Sequence, residues 1–166
     1  MSRKDISGTE ALKKLKELAE DARTCMMSTS LNERPIPTRP MGLQEVDENG
    51  VLWFISYKDS DKTYDLKKDS EIQLTFSNDS DNEYLSIYGT AEVYTDQKTI
   101  DEHWSAMANA WFDGKEDPNV SIIGVRPKDV RYWDTKHGKM VDYALMLYSA
   151  VTNDYKDGGI EGNLNI

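Results

Sequence analysis

Asp47-Glu-Asn-Gly-Val-Leu-Trp-Phe-Ile-Ser-Tyr57 joins a turn to a strand, and this combination indicates an antiparallel β-protein. Asn49-Gly50 can supply the positive φ angles of a type I′ turn, so the segment predicts a tight hairpin. The run from Val51 to Tyr57 is almost continuously apolar, whereas a strand with one solvent-exposed face would alternate apolar and polar residues. We therefore expect a strand that is buried on both faces.

The segments on either side of this hairpin extend the β pattern. Further strands are predicted over 25–30, 35–44, 72–76, 84–94, 120–126 and 130–133, and Gly89 suggests a bulge or barrel corner. Helical spacing predicts helices over about 8–23, 59–68, 95–111 and 140–151, followed by an unstructured tail after Asp157. Six or seven hairpin-linked strands predict a mainly β fold, an antiparallel β-barrel with α additions. We expect one domain over 1–166, with its core at about 9–136 and a C-terminal helix and tail over 139–166.

Composition excludes several classes of function. The chain has 166 residues with 20 basic and 30 acidic side chains, for a formal net charge of −10. Such an excess of acid argues against binding nucleic acid or an anionic membrane surface. No leader-like or membrane-spanning apolar stretch is evident, so a cytoplasmic protein is expected. A single cysteine, Cys25, and two histidines give no disulfide framework and no zinc spacing, so we expect no metal.

The sequence lacks the usual catalytic motifs: a Walker loop, a Gly-x-Gly-x-x-Gly loop, a nucleophile elbow or a His-Glu-x-x-His helix. Cys25 could be a redox thiol, but a small buried core residue is the favoured interpretation. His103 is interpreted as a packing or surface residue. His137 lies in a polar loop, where a general acid is the alternative to a solvated side chain.

Cations, hydroxyls and aromatic residues recur in an informative order along the chain. Separately, Arg39 and Lys62 could be surface cations, and the aromatic residues could belong to the core. Together with serine hydroxyls, the two cations are what a flavin mononucleotide (FMN) phosphate needs, and aromatic residues could wall the flavin ring. The sequence therefore contains the elements of a flavin site.

The order of these motifs resembles the FMN-binding split-barrel superfamily that includes pyridoxamine 5′-phosphate oxidases, and more specifically its general stress protein 26 branch. The matching segments, over about 9–136, are Arg-Pro-Met-Gly-Leu-Gln at 39–44, Gly-Val-Leu-Trp-Phe-Ile-Ser at 50–56, Asp61-Lys62, Tyr-Leu-Ser-Ile-Tyr-Gly-Thr-Ala-Glu at 84–92, Ala-Trp-Phe at 110–112 and Tyr-Trp-Asp at 132–134. The resemblance implies a six- or seven-stranded split β-barrel that binds FMN.

The resemblance also implies roles for individual residues around the flavin. The phosphate would be held by Arg39, Ser60 and Lys62, and the ring and ribityl chain would be contacted by the backbone of Pro40 and Met41, by Gln44 at the polar edge, by Ile55 and Ser56, by Tyr84, and by Trp133 as a cover. Trp133 would come from the second subunit, because related proteins are homodimers with flavin at the interface.

Three departures from the oxidases shape the expected function. Gln44 stands where the oxidases have lysine, the segment 134–139 lacks their Arg-x-His motif, and Asp61 replaces an arginine of the phosphate site. We therefore expect no pyridoxamine phosphate oxidation, and FAD is an alternative to FMN. The expected function is a stress-related, flavin-dependent oxidoreductase that takes electrons from NAD(P)H. The alternatives are a flavin-storing protein without turnover and a dimeric interaction module without cofactor.

Overall fold

The structure is a computed structural model, and it describes residues 2–135 and 158–166. These residues form three helices, α1 (Thr9–Ala22), α2 (Asp61–Lys68) and α3 (Gln97–His103). The strands are β1 (Ser2–Arg3), β2 (Ile6–Ser7), β3 (Thr24–Ser28), β4 (Thr38–Val46), β5 (Leu52–Tyr57), β6 (Glu71–Asn78), β7 (Glu83–Tyr94), β8 (Val120–Thr135) and β9 (Gly159–Asn165). None of the helices in these ranges is long and apolar enough to cross a membrane.

Six of the strands close into an antiparallel barrel. The neighbours around the ring are β8, β5, β4, β3, β6 and β7, and β7 pairs back onto β8. β9 pairs antiparallel with the second half of β8 and parallel with β1 and β2. The predicted mainly β fold, an antiparallel barrel with added helices, is confirmed.

Strand β5 follows β4 in a hairpin and lies at the centre of the fold. Its inward side chains, Leu52 and Phe54, are fully buried in the barrel core. Trp53 is buried on the outer face instead, so the predicted two-sided burial is confirmed. The turn type is different from the prediction: only Gly50 has positive φ, at 78°, and Asn49 does not. The loop is therefore a type I turn closed by a left-handed glycine.

Two apolar layers cover the barrel. Helix α1 packs its buried side chains into the barrel core; these are Ala11, Leu15, Leu18 and Ala19. Helix α3 and a 3-10 turn over Ala106–Ala110 cover the outer face of β5 and β8. The prediction of one helix over 95–111 is wrong, because Trp104 and Ser105 are extended, with ψ of 134° and 153°.

The long strand β8 replaces two predicted strands. It runs without interruption through Pro127, where the register with β7 shifts between Tyr88 and Gly89. A Cβ atom at Gly89 would overlap the backbone carbonyl oxygen of Arg126. The bulge that Gly89 predicted is therefore confirmed, and it bends the strand pair without ending either strand.

The prediction of an unstructured tail after Asp157 is wrong, because β9 occupies most of it. Tyr132 Oη donates to the Lys4 carbonyl oxygen at 2.7 Å, and the Asn163 amide donates to Asp5 Oδ1 at 2.9 Å. Both bonds tie the N-terminal strands to the β8–β9 pair. The helix predicted over 140–151 lies outside the described residues.

Candidate functional site

Arg39 is held in a fixed position at the start of β4. Its Nη1 donates to Thr29 Oγ1 at 2.6 Å, and its Nη2 lies 3.6 Å from Asp65 Oδ2. The Thr29 hydroxyl, which is fully buried, donates in turn to Asp65 Oδ2 at 2.6 Å. Asp65 lies on α2. This network therefore fixes the guanidinium beside the helix.

Lys62, in the first turn of α2, is the second cation of the site. It makes no hydrogen bond and no ion pair with any of the residues the structure describes. Burial lowers the pKa of Lys62 below its usual range, the nearby Arg39 charge lowers it further, and Asp61 opposes the shift. The ammonium group is thus partly desolvated and has no acceptor among residues 2–135 and 158–166, a situation that a bound anion would relieve.

Three hydroxyls cluster at the N-terminus of the same helix. Ser60 is its N-cap residue, and Ser60 Oγ lies 3.4 Å from Ser56 Oγ and 2.9 Å from Thr63 Oγ1. The Ser60 side chain makes no capping hydrogen bond to the helix. The first N–H groups of a helix have no acceptor within it and favour an anion.

We call Arg39, Ser56, Ser60, Lys62 and Thr63 the phosphate cluster. The structure brings together four predicted site residues in it and adds Thr63. Two cations, three hydroxyls and a helix N-terminus are groups that bind the oxygens of a phosphate. The cations and the Ser60 hydroxyl are groups that fit a phosphorylated ligand, whereas the Ser56 and Thr63 hydroxyls already donate to the Tyr57 carbonyl oxygen, at 3.3 Å and 3.1 Å.

The remaining residues predicted for the ring lie on β4 and β5. Pro40 is exposed on the outer face of β4, and Met41 is half-buried against the barrel core. Gln44 lies at the irregularity between β4 and β5, and its Oε1 accepts a hydrogen bond from Ser105 Oγ at 2.5 Å. Ile55 is half-buried and packs against the outer apolar layer.

The two predicted aromatic residues lie elsewhere in the chain. Tyr84 on β7 pairs directly with Trp133 on β8. Ser56 of the phosphate cluster pairs with Ser121, which lies at the opposite end of β8. Trp133 Nε1 donates a hydrogen bond to Glu161 Oε2 at 3.1 Å. The Trp133 residue also lines an open cavity of about 250 Å³. A single chain therefore does not join this pair to the phosphate cluster.

Sequence reasoning missed Thr29, Thr63 and Asp65. For two of them the available signal was position on the predicted helix: Thr63 follows Ser60 by three residues and Asp65 follows Lys62 by three residues, so each pair shares a helix face. Thr29 follows directly after β3 and had no local signal. Only the pairing of β3 with β4 places it beside Arg39.

Cys25 and His103 have structural roles. Cys25 is 1% exposed, and burial raises the pKa of its thiol to about 12, so it is the core residue that was expected. The His103 ring stacks on Trp53 with 3.7 Å between centroids. Its Nδ1 lies 2.6 Å from Glu45 Oε1. These contacts confirm that His103 packs against the barrel.

Fold and site together define a split-barrel protein with a cluster of cations and hydroxyls beside a short helix. A sequence model described as pyridoxamine 5′-phosphate oxidase like matches residues 10–157. The chain therefore belongs to the pyridoxamine 5′-phosphate oxidase-like family, in its general stress protein 26 branch.

Several known proteins are similar to the chain. Protein bli-3 of Neurospora crassa is 33% identical over 120 residues, which are 64% of this chain and 57% of bli-3. General stress protein 26 of Bacillus subtilis is 27% identical over 77 residues, 45% of this chain and 55% of that protein. The matches thus span less than two thirds of the length of both relatives.

Solved structures extend the similarity over the whole barrel. A general stress protein 26 from Jannaschia sp. CCS1 is 26% identical, with a TM-score of 0.77, and the match covers 96% of this chain and 100% of that one. The general stress FMN/FAD binding protein of Xanthomonas citri is 27% identical, with a TM-score of 0.63, and the match covers 75% and 87% of the two chains.

Proposed function

We propose that this chain binds a flavin nucleotide, FMN or FAD, and holds its phosphate in the phosphate cluster. The observation that carries the proposal is the ammonium group of Lys62, which is half-buried, close to Arg39 and without an acceptor among the described residues. A protein with a net charge of −10 does not attract phosphate by its overall field, so local cations must capture it. The similar Xanthomonas citri protein, described as FMN/FAD binding, supports flavin as the phosphorylated ligand.

The residues around the cluster suggest how the rest of the ligand is held. Pro40 is exposed on the outer face of β4, where a planar ring can lie. Gln44 offers an amide whose oxygen already accepts a bond from Ser105, so its N–H groups remain to donate. The Ser56 hydroxyl, which donates to the Tyr57 carbonyl oxygen at 3.3 Å, lies 3.4 Å from Ser60 Oγ and can accept from it at the sugar-phosphate end.

The proposed active form is a homodimer with flavin at the interface. Tyr84 and Trp133 lie at the far end of β8 from Ser56, so within one chain they are separate from the phosphate cluster. A partner subunit that supplies its own Tyr84 and Trp133 would complete the ring wall. Sedimentation velocity measures the mass of the assembly, and a monomer that binds flavin fully would contradict this arrangement.

The proposed activity is that of a flavin-dependent oxidoreductase. Flavin supplies the hydride and electron chemistry when it is bound, and the protein positions the flavin and adjusts its electronics. This division explains why the sequence needs no dedicated nucleophile. The proposed donor is NADH or NADPH, and cytoplasm is the proposed compartment.

A direct experiment identifies the cofactor and then tests turnover. The purified protein is denatured, and the released ligand is identified by chromatography against FMN and FAD. We expect a yellow protein that releases one of them; a colourless protein that takes up neither would overturn the proposal. The loaded protein is then mixed with NADH or NADPH without oxygen. Loss of the flavin absorbance supports the oxidoreductase, whereas no change with either donor would favour a storage protein.

A further inference from the structure

Strand β4 contains a bulge near its end. On this strand, Leu43 pairs with Phe54 of β5. The next pair joins Glu45 to Trp53, which leaves Gln44 as an extra residue between the two pairs. A bulge redirects the side chains at that point of a strand. Gln44 and Glu45, which would point to opposite faces in a regular strand, can therefore both meet the outer layer that covers β5.

The connection after α3 places two side chains over this bulge. Trp104 and Ser105 are extended, with ψ of 134° and 153°. Residues two apart in an extended chain point to the same side, whereas in a helix they would lie about 200° apart, so the break after α3 turns His103 and Ser105 together towards β4. His103 Nδ1 lies 2.6 Å from Glu45 Oε1. Ser105 Oγ donates to Gln44 Oε1 at 2.5 Å.

The contact with Ser105 fixes the direction of the Gln44 amide. Its oxygen accepts from the Ser105 hydroxyl, while its Nε2 group has no acceptor among residues 2–135 and 158–166. Gln44 is half-buried, so an N–H group without an acceptor costs free energy there. The side chain thus presents a hydrogen-bond donor of fixed direction to a ligand that lies along β4.

We propose that Ser105 is a positioning residue, which holds Gln44 as a hydrogen-bond donor to the flavin ring and thereby stabilises reduced flavin more than oxidised flavin. This inference rests on the proposed function, in which Gln44 lies at the polar edge of the ring. A hydride from NAD(P)H brings two electrons and one proton to the neutral ring, so NAD(P)⁺ leaves and the ring gains one negative charge. An N–H group bonds more strongly to an acceptor that carries charge. The fixed amide therefore makes the bound flavin a better hydride acceptor.

Gln44→Glu tests the direction of the amide. The carboxylate can still accept from Ser105, but it has no N–H group and it repels a negatively charged ring. The ratio of the affinities for reduced and oxidised flavin should fall by about tenfold or more, which lowers the two-electron reduction potential of bound flavin by about 30 mV or more. Asn49→Asp adds the same charge to the exposed β4–β5 turn, and as the matched control it should change this ratio by less than about twofold.

Substitution of Ser105 tests the positioning step. Ser105→Ala releases the Gln44 amide, and ordering it again should lower the affinity for reduced flavin by about three- to tenfold. This affinity follows from the reduction potential and from fluorescence titration of the flavin-free protein with oxidised flavin. Ser105→Thr keeps the hydroxyl and should retain the affinity of the parent. In a Gln44→Ala background, where no amide is left to hold, Ser105→Ala should have no further effect.

The outcomes separate this inference from the proposed function. A ratio that Gln44→Glu leaves unchanged or raises would overturn the donor role of Gln44. Equal losses from Ser105→Ala with and without the Gln44 amide would show a merely structural role and overturn the positioning role of Ser105. Both results require a protein that binds flavin, so they leave the proposed function intact. If riboflavin, FMN and FAD all fail to bind the parent protein, the proposed function fails, and this inference fails with it.

Discussion

Lys62→Met should have opposite effects on stability and on flavin binding. In the flavin-free protein, burial and the Arg39 charge lower the pKa of Lys62 below its usual value of 10.5. The charged ammonium therefore costs stability at neutral pH. The folded protein loses the Lys62 proton at a lower pH than the unfolded chain, whose pKa is 10.5. The loss of stability caused by the charge therefore disappears as the pH rises from the folded-state pKa towards 10.5.

The size of each effect follows from the surroundings of Lys62. The Lys62 side chain is only half-buried, so screening by water limits the gain in unfolding free energy at pH 7 to below about 1 kcal/mol. The same substitution removes a charge-assisted bond to phosphate, worth about 1.5–3 kcal/mol, or about 10- to 150-fold in affinity. Riboflavin, which has no phosphate, should bind the variant and the parent equally.

Two assays and one control variant measure these effects. Urea denaturation of the flavin-free protein gives stability at pH 7 and at pH 10, and fluorescence titration gives flavin affinity. Lys68→Met removes an exposed charge from the last turn of α2 and should change neither quantity strongly. A Lys62→Met protein that is clearly less stable, or that binds phosphorylated flavin like the parent, would refute the role assigned to Lys62.

Three further predictions concern the barrel. A Cβ at Gly162 would overlap the Lys4 carbonyl oxygen, so Gly162→Ala should lower the free energy of unfolding by about 1–3 kcal/mol and speed hydrogen exchange of the Lys4 amide. The control is Gly42→Ala, where an added Cβ meets nothing within 4 Å, and it should have neither effect. Burial and neighbouring carboxylates raise the pKa of Glu83, so its charge costs stability at neutral pH and the cost fades as pH falls through that pKa. Glu83→Gln should therefore gain a few tenths of a kcal/mol at pH 7 and nothing near pH 4, and a loss in urea denaturation at pH 7 would refute this. Cys25 should react with iodoacetamide only at the rate of unfolding, whereas fast labelling of the folded protein by mass spectrometry would contradict its burial.

The barrel was predictable where local pattern and tertiary environment agree. The apolar run of β5 indicated two buried faces, and Gly89 indicated the bulge against Arg126. Strand β9 was not predicted, because only Ile160 and Leu164 are apolar side chains in Gly159–Asn165, and two glycines and two asparagines disfavour a strand. The segment forms a strand because it pairs with β8 and β1 in the folded protein. These tertiary contacts outweigh the low strand propensity of its residues.

The site was predictable in part for a similar reason. Arg39, Ser60 and Lys62 belong to motifs that can be read along the chain. The sequence places Asp65 on the helix of Lys62, but it does not show that Asp65 and Thr29 contact Arg39, because they meet only when β3 pairs with β4 and α2 packs beside them. The network around Arg39 is therefore a property of the fold.

The central claim is that this barrel binds flavin through its phosphate. The most direct test compares the dissociation constants of riboflavin and of the phosphorylated flavins FMN and FAD for the flavin-free protein in one buffer. Charge-assisted bonds from Arg39 and Lys62 predict that at least one phosphorylated flavin binds 10-fold or more, and up to about 100-fold, tighter than riboflavin. Equal affinity for riboflavin and both phosphorylated flavins would contradict the claim.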